Sequence, residues 1–298
     1  MIVRDRPRFW DILFALRGSI VPRIAPHMAV MGVVSVLAVL LVRWHPEVFA
    51  QLGAMPFTLI GIALSIFMSF RNNACYDRWW EARKLWGQLI IETRSFARQT
   101  IDLDVARREP LLLGLCGFAH GLAARLRDQD EASRMKPWAG EDIAAAGPNP
   151  TDSVLREIGR QCAQLTSTGT ISDIRYSVLE QRLSALSAVQ AGCERIKATP
   201  LPFAYTLLLH RTAYLFCVLL PFALAGALGW WTPLLVITIC YTFFGLDALG
   251  DELEDPFGQE MNDLPLDAMI RVVERELLDA LGRTDLPPLL EPVDQLLT

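Results

Sequence analysis

The sequence predicts an all-α membrane protein with four transmembrane helices and a helical cytoplasmic region. Of its 298 residues, 52% are hydrophobic, which is high for a soluble domain of this size, and yet 20% are charged. Apolar and charged residues occupy different parts of the chain, so membrane-spanning and aqueous portions alternate. Because no convincing alternating strand pattern and no internal repeat is present, helices are the expected spanning structure.

Four apolar stretches are each close to the minimum length for crossing a bilayer, and each can gain length from its flanking residues. They cover residues 26–42, 55–70, 213–228 and 232–246. Interfacial anchors are expected at the ends of such stretches, and the candidates are Arg43, Trp44, Trp230 and Trp231. The predicted divisions are an N-terminal segment (1–25), helices 1–2 (26–70), a helical region (71–212), helices 3–4 (213–249) and an acidic C-terminal segment (250–298).

The distribution of basic residues predicts the orientation in the membrane. The two short connections, 43–54 and 229–231, contain a single basic residue, Arg43, out of 28 in the chain. Because cytoplasmic segments carry the excess of Lys and Arg, both termini and residues 71–212 are expected in the cytoplasm. No cleavage site for a removable signal peptide is evident near the N-terminus.

The aqueous portion is expected to be mostly helical. Apolar residues recur with helical spacing over 92–104, 108–128, 151–165 and 172–189, whereas 140–150 is rich in Ala, Gly and Pro and is expected to be a loop. Residues 213–298 contain 14 acidic and three basic side chains. This acidic part either docks against the basic N-terminal and central regions or forms a solvated surface.

Several functional classes find no support in the composition. The six cysteines are not closely paired, which favours reduced structural thiols over disulfides or a zinc site. The four histidines are isolated, and the Gly-x-Ser-x-Gly and phosphate-loop spacings are absent, so no enzyme is indicated. The isoelectric point of about 5.5 and the lack of an organised basic motif argue against a nucleic-acid partner.

The second apolar stretch carries a stripe of bulky side chains. Ile62, Ile66 and Phe70 are spaced by four residues, which places them on one helix face. Small residues beside the stripe would let helices approach closely, namely Gly61, Ser65 and Ser69. A ring of such helices could form an apolar constriction that gates by dewetting. Alternatively, the stripe faces lipid or neighbouring helices.

Polar residues follow this stripe without a break. Arg71, Asn72 and Asn73 either line a wet vestibule or cap the membrane boundary. No Pro or Gly interrupts the chain from Ile62 to Trp86, so one helix is expected to leave the membrane and continue into water. At the end of the fourth stretch lies Asp247, which is either a functional ionisable group or an interfacial partner for Arg or Tyr.

Four separated motifs resemble those of the bestrophin family of ion channels. Residues 71–87, RNNACYDRWWEARKLWG, resemble the family's signature region, and Arg-Gly-Ser-Ile at 17–20 resembles the segment before its first membrane helix. Residues 193–205, CERIKATPLPFAY, resemble the entry to the third membrane helix of bacterial members. Residues 254–265, EDPFGQEMNDLP, resemble the Asn-Pro-Phe-Gly motif and acidic cluster of animal members. The motifs occur in the family's order.

The resemblance implies a homopentamer in the lipid bilayer of a bacterial inner membrane. One axial pore is expected to pass monovalent ions, with no cofactor required. It implies that Ile62, Ile66 and Phe70 form the hydrophobic neck and that Ile174 forms a narrow cytoplasmic aperture. Ile171 is the nearby competitor for the aperture, and an isolated Ile at a helix start is usually a core residue. Chloride is the family's default ion, whereas the acidic balance of this chain narrowly favours monovalent cations.

The acidic motif resembles the calcium clasp of animal members, with clear departures. The candidate ligands for calcium or another divalent cation are Glu252, Asp255, Glu260 and Asp263. Asp255 replaces the Asn before Pro-Phe-Gly, and Met261, which is no calcium ligand, interrupts the acidic run. These departures favour a structural clasp of hydrogen bonds and ion pairs over a metal site.

Two alternative functions stay open at this point. A secondary transporter would need polar sites at mid-membrane and usually carries inverted repeats or broken helices, neither of which the sequence shows. A membrane-anchored metalloenzyme would use the carboxylates between Asp251 and Asp263.

Overall fold

The computed structural model describes residues 1–3, 10–11, 15–49, 53–141 and 147–298. Within these ranges the regular structure is helical, and the β contacts are isolated bridges that join Leu296 to Ile2 and to Val293. The prediction of an all-α chain is therefore confirmed for the part of the chain that is described. The predicted N-terminal segment (1–25), connection (43–54) and loop (140–150) lie partly outside it.

The helices are numbered here in chain order. They are α1 (Val21–Trp44), α2 (Pro46–Phe49), α3 (Met55–Gln99), α4 (Val105–Leu126), α5 (Glu131–Ala139), α6 (Pro150–Ser167), α7 (Asp173–Ala198), α8 (Phe203–Leu228), α9 (Thr232–Glu254) and α10 (Leu266–Ala280). The chain forms two compact units. The apolar unit comprises Asp5–Trp79 and Pro200–Asp255, and the polar unit comprises Met1–Arg4, Trp80–Thr199 and Pro256–Thr298.

Three helical stretches are long and apolar enough to cross a membrane, judged by length and composition alone. They are Val21–Trp44, Met55–Gln99 and Phe203–Glu254. The third contains both α8 and α9, which are separated by a 3-10 turn over Gly229–Trp231. Gly229 ends α8 with φ at +53°, a left-handed conformation that favours glycine. Both α8 and α9 pack against α1 and against each other.

The start of α1 explains why an Arg-Gly-Ser sequence precedes it. Gly18 has φ at +74°, and the Ser19 hydroxyl accepts a hydrogen bond from the Val21 backbone N–H at 3.1 Å. Pro22 occupies the first turn, where a missing N–H costs nothing. As a result, α1 begins five residues before the predicted start at residue 26. Near its other end, the Arg43 guanidinium stacks 5.2 Å from the Trp230 ring, and this contact joins two of the residues predicted as anchors.

The core of the apolar unit is built by four helices. Leu64 and Met68 of α3 are buried in the same cluster as Phe216 of α8 and Phe243 of α9, and Met31 comes from α1. The Phe216 and Phe243 rings meet edge to face at 5.3 Å. Leu64 and Met68 therefore belong to the buried side of α3.

The polar unit is organised around α4. Leu111, Leu115, Phe118 and Leu122 are fully buried, and α4 packs against α5, α6, α7 and α10. The sequence did not predict α5, and the predicted helix over 92–104 is the last part of α3. The predicted helices over 108–128, 151–165 and 172–189 correspond to α4, α6 and α7.

The acidic C-terminal segment docks on its own unit. Helix α10 packs against α4 through buried residues that include Val273 and Leu277. Asp267 pairs with Arg127 at 2.7 Å, and Glu276 accepts from Arg94 Nε at 2.6 Å. Of the two expectations for this segment, docking against basic residues of the central region is therefore the one observed.

Candidate functional site

Helix α3 has one face turned into its own subunit. Leu64, Met68, Arg71 and Cys75 are all buried, and their spacing of four, three and four residues keeps them on one side of the helix. Each residue turns the helix by about 100°. On the opposite side of the helix, the bulky side chains between positions 62 and 70 are exposed.

The stripe predicted from the sequence lies on that opposite side. Ile62, Ile66 and Phe70 are all exposed in the single subunit, Phe70 by 61%. The helix runs through all three positions without interruption. A continuous row of bulky apolar side chains is thus available for contact with lipid, with another copy of the chain, or with an axial pore.

The three polar residues that follow Phe70 do not share one environment. Arg71 is 1% exposed, so the prediction that it lines a wet vestibule is wrong within this subunit. Its position on the buried face of α3 is the physical reason. Asn72 is half-buried and donates from Nδ2 to the Leu246 carbonyl at 3.0 Å, whereas Asn73 is exposed. Asn73 alone keeps the environment predicted for the group.

The guanidinium of Arg71 is held by carboxylates of α9. Its Nη1 donates to Asp247 Oδ1 at 2.7 Å, and its Nη2 donates to Asp251 Oδ1. Asp251 also pairs with Arg23 of α1, at 3.5 Å. Gly250 permits this approach, since a Cβ there would lie 3.2 Å from Arg71 Nη1 and 2.7 Å from the Asn72 side-chain oxygen. A charge at this boundary is tolerated because it is paired and hydrogen-bonded.

Asp247 has a second partner that the sequence did not suggest. Its Oδ2 lies 2.7 Å from His210 Nδ1 of α8, while Oδ1 is bound to Arg71. The His210 ring packs against Tyr214 at a centroid distance of 4.5 Å, and Tyr214 packs against Phe244 at 4.7 Å. Asp247 thus joins α3, α8 and α9, and of its two predicted roles the structure supports that of a partner for Arg.

Ile174 occupies the first turn of α7 and is 80% exposed. The helix begins where the Ser172 hydroxyl accepts from the Arg175 backbone N–H. The competing residue Ile171 is 4% exposed and belongs to the core. Burial therefore excludes Ile171 as a surface group and leaves Ile174 free to line an opening.

The predicted metal ligands take part in local contacts. Glu252 lies 3.8 Å from Arg23, Asp255 follows the end of α9, and Asp263 is buried and accepts from the Glu260 backbone N–H at 2.6 Å. Among the described residues, no group of three or more His, Cys, Asp or Glu side chains is placed to hold a metal ion. Glu252 thus makes its contact from within α9, whereas Asp263 and Glu260 close a local turn. Binding of a divalent cation stays a prediction.

A second histidine–carboxylate pair lies in the polar unit, although the histidines look isolated in the sequence. His120 Nε2 is 2.5 Å from Glu274 Oε1, and Arg271 Nε donates to Glu274 Oε2 at 2.5 Å. Burial opposes ionisation of Glu274, but the hydrogen bonds and charges of His120 and Arg271 outweigh it, so the pKa of Glu274 is lowered. Trp138 stacks on the His120 ring at 5.4 Å. The pair joins α4 to α10 and serves packing.

Comparison with known proteins gives matches over almost the whole length of the chain. The model of the Bacterial/Fungal Bestrophin family matches residues 1–279. A protein of Mesorhizobium japonicum described as a voltage-dependent anion channel-forming protein is 47% identical over 299 residues, covering 99% of this chain and 96% of that protein. An Escherichia coli K12 protein of the same description is 41% identical and covers 98% of each chain.

Solved structures give the same result for the fold. The crystal structure of a bacterial bestrophin homolog from Klebsiella pneumoniae superposes with a TM-score of 0.84 at 40% sequence identity, covering 87% of this chain and 99% of that one. The four sequence motifs, the helical fold and these matches agree. The chain therefore belongs to the bacterial and fungal bestrophin family, whose members are membrane channels and not enzymes.

Proposed function

We propose that this chain forms a homopentameric channel in the bacterial inner membrane, with both termini in the cytoplasm, and that monovalent ions pass along its axis. The four apolar helices α1, α3, α8 and α9 cross the membrane, and the N-terminal part of α3 lines the pore. The observation that carries the proposal is the exposed row of Ile62, Ile66 and Phe70, opposite the face that α3 buries in its own subunit. In a ring of five copies this row forms a narrow apolar neck.

The charge of the permeant ion is set outside the neck, because an apolar constriction does not distinguish sign. Asp77 is the first charged residue on the same face of α3 after Phe70, seven residues later, and it is exposed. Five copies would place a ring of carboxylates below the neck, and such rings favour cations. The net charge of −5 acts in the same direction. We therefore propose selectivity for monovalent cations.

Anion conduction is the competing function, since two similar proteins are described as anion channel-forming. Reversal potentials decide between the two. The purified protein is placed in a planar bilayer with a KCl gradient across it, and the potential of zero current is measured. A reversal potential near that of potassium supports our proposal, one near that of chloride supports anion conduction, and flux coupled to a second ion would indicate a transporter.

We expect Ile174→Ala to change the relative permeability among ions of like charge while the oligomer stays intact. An exposed Ile that narrows an aperture limits ions by size and dehydration, so its truncation should weaken discrimination between sodium and potassium by about twofold or more. The check is the bi-ionic reversal potential. Ile171→Ala provides the contrast, because that side chain is buried and its loss should lower thermal stability without changing permeability. Unchanged permeability in Ile174→Ala would remove this residue from the conduction path.

We expect the current to be largely independent of calcium. Two of the four candidate carboxylates already have partners, Glu252 in Arg23 and Asp263 in the Glu260 backbone N–H, and a calcium ion would have to displace these contacts. Currents recorded with calcium chelated should equal those at micromolar calcium within measurement error. A steep and reversible activation by calcium that is lost in Asp263→Ala or Glu260→Ala would instead establish a working calcium clasp.

A further inference from the structure

Arg71 and Phe70 are neighbours in sequence but lie on different sides of α3. Phe70 belongs to the exposed row, whereas the side chain of Arg71 is fully buried and points to α9. Because consecutive residues differ by about 100° around a helix, fixing one of them fixes the other. The rotation of α3 about its own axis therefore determines two things together. It sets the direction in which Phe70 points, and it sets whether the Arg71 guanidinium reaches the carboxylates of Asp247 and Asp251.

Hydrophobicity alone does not set that rotation in a bilayer. Lipid chains are as apolar as the protein core, so an Ile or Phe gains little by facing one or the other. The polar side chains in the first turns of α3 do not tie it to a neighbour, since the hydroxyls of Thr58 and Ser65 donate to carbonyls of the same chain four residues back. The bond from Arg71 to Asp247, 176 residues further along the chain, does tie α3 to α9.

We propose that Arg71 is the positioning residue of the neck: its buried bridge to Asp247 and Asp251 holds α3 at the rotation that turns Ile66 and Phe70 toward the axis. This inference rests on the proposed function, because it presupposes that the row lines the pore. Specifying register is the best-attested use of a buried charged group in helical assemblies. Gly250 supports the role, since a Cβ there would lie 2.7 Å from the Asn72 side-chain oxygen and 3.2 Å from Arg71 Nη1, which leaves the guanidinium no room to spare.

The bridge contains its own proton-sensitive group. Asp247 divides its two oxygens between Arg71 and His210, so protonation of His210 places a second cation on the same carboxylate. The imidazolium then competes with the guanidinium and weakens its hold on α9. His210 contacts Asp247 of α9 and Tyr214 of α8. Asp247 also binds Arg71 of α3, which pairs in addition with Asp251 and Glu254 of α9. Arg23 of α1 pairs with Asp251, and His27 of α1 packs on Tyr214. Acidification should therefore weaken the constraint on the rotation of α3, widen the neck and increase the current.

The test uses the full-length channel in planar bilayers and a double-mutant cycle. Arg71→Gln and Asp247→Asn should each raise the unitary current about threefold, and the double variant should raise it no further because both changes release the same bridge. Arg71→Lys keeps the positive charge, so its current should lie between that of Arg71→Gln and the lower wild-type value. Arg94→Gln is the matched control on the same helix, since Arg94 is exposed and pairs with Glu276 instead.

The pH profile separates positioning from a merely structural role. The wild-type current should rise about threefold when the pH of the bath is lowered from about 8 to about 5.5. His210→Gln should abolish this rise, whereas His27→Gln, which removes the other histidine of the cluster, should preserve it. If Arg71→Gln fails to assemble, Arg71→Lys and His210→Gln still decide whether the Arg71 bridge positions the neck.

The outcomes distinguish this inference from the proposed function. If Phe70→Ala leaves the current unchanged, the neck itself is wrong and the inference fails with it. If Phe70→Ala raises the current but Arg71→Gln, Arg71→Lys and His210→Gln all behave as wild type, then only the positioning role is overturned. Additive effects of Arg71→Gln and Asp247→Asn would also overturn it, since the two residues would then act separately.

Discussion

Replacing Phe70 by Ala, alone or together with Ile66→Ala, should raise the unitary current about tenfold, which corresponds to lowering the barrier at the neck by about 1.4 kcal/mol. The barrier in an apolar constriction is the dehydration of the ion, and smaller side chains widen and wet it. Both residues are exposed in the single subunit, so their truncation should leave the subunit core intact. Single-channel recording in planar bilayers measures the effect.

A matched control exists on the same helix. Ile60 is also exposed and also apolar, but it lies about 120° around α3 from Ile66. Ile60→Ala should therefore keep the wild-type current. Equal currents in Ile66→Ala, Phe70→Ala and wild type, with normal oligomers on size-exclusion chromatography, would falsify the neck and indicate that the row faces lipid or a neighbouring helix.

The largest loss of stability in the C-terminal segment should come from Phe257→Ala. Phe257 is completely buried, in the Asp-Pro-Phe-Gly sequence that follows α9. Its carbonyl accepts from Arg127 Nε at 3.4 Å, and the loop closes through a hydrogen bond from the Leu264 N–H to the Pro256 carbonyl at 2.9 Å. Removing a buried Phe side chain typically lowers the free energy of unfolding by about 3–5 kcal/mol.

The comparison that isolates this effect is Met261→Ala. Met261 lies in the same loop but is 44% exposed, so its truncation should change the free energy of unfolding by less than about 0.5 kcal/mol. The measurement is the thermal midpoint of the detergent-solubilised protein at one fixed scan rate, because unfolding of such proteins is often irreversible. Similar midpoints for the two variants would show that the burial of Phe257 does not stabilise the protein.

The elements that the sequence predicted well are those for which local chemistry is sufficient. The long apolar helices follow from the length of the apolar stretches, and the break between α8 and α9 follows from Gly229 next to two tryptophans. The start of α7 follows from Ser172, a good N-cap residue. Each of these signals lies within a few residues of the feature that it determines.

The features that sequence reasoning missed depend on distant partners. Arg71 looks like a vestibule residue because it follows the apolar stretch, and only the fold brings Asp247 to it. Helix α5 is short and contains Pro137, so its periodicity is weak, and it is stabilised by packing against α4. The pairing of His120 with Glu274 likewise joins residues that are 154 positions apart. No local pattern signals such contacts.

The thiols of this chain have a practical consequence for labelling chemistry. All six cysteines are free and buried. In the polar unit, burial raises the pKa of both Cys162 and Cys193 to about 12, so almost no reactive thiolate forms there at neutral pH. A cysteine introduced at an exposed position such as Ile174 should therefore react with maleimide far faster than any native one. Fluorescent or spin labels can then be attached at chosen sites without first replacing the natural cysteines.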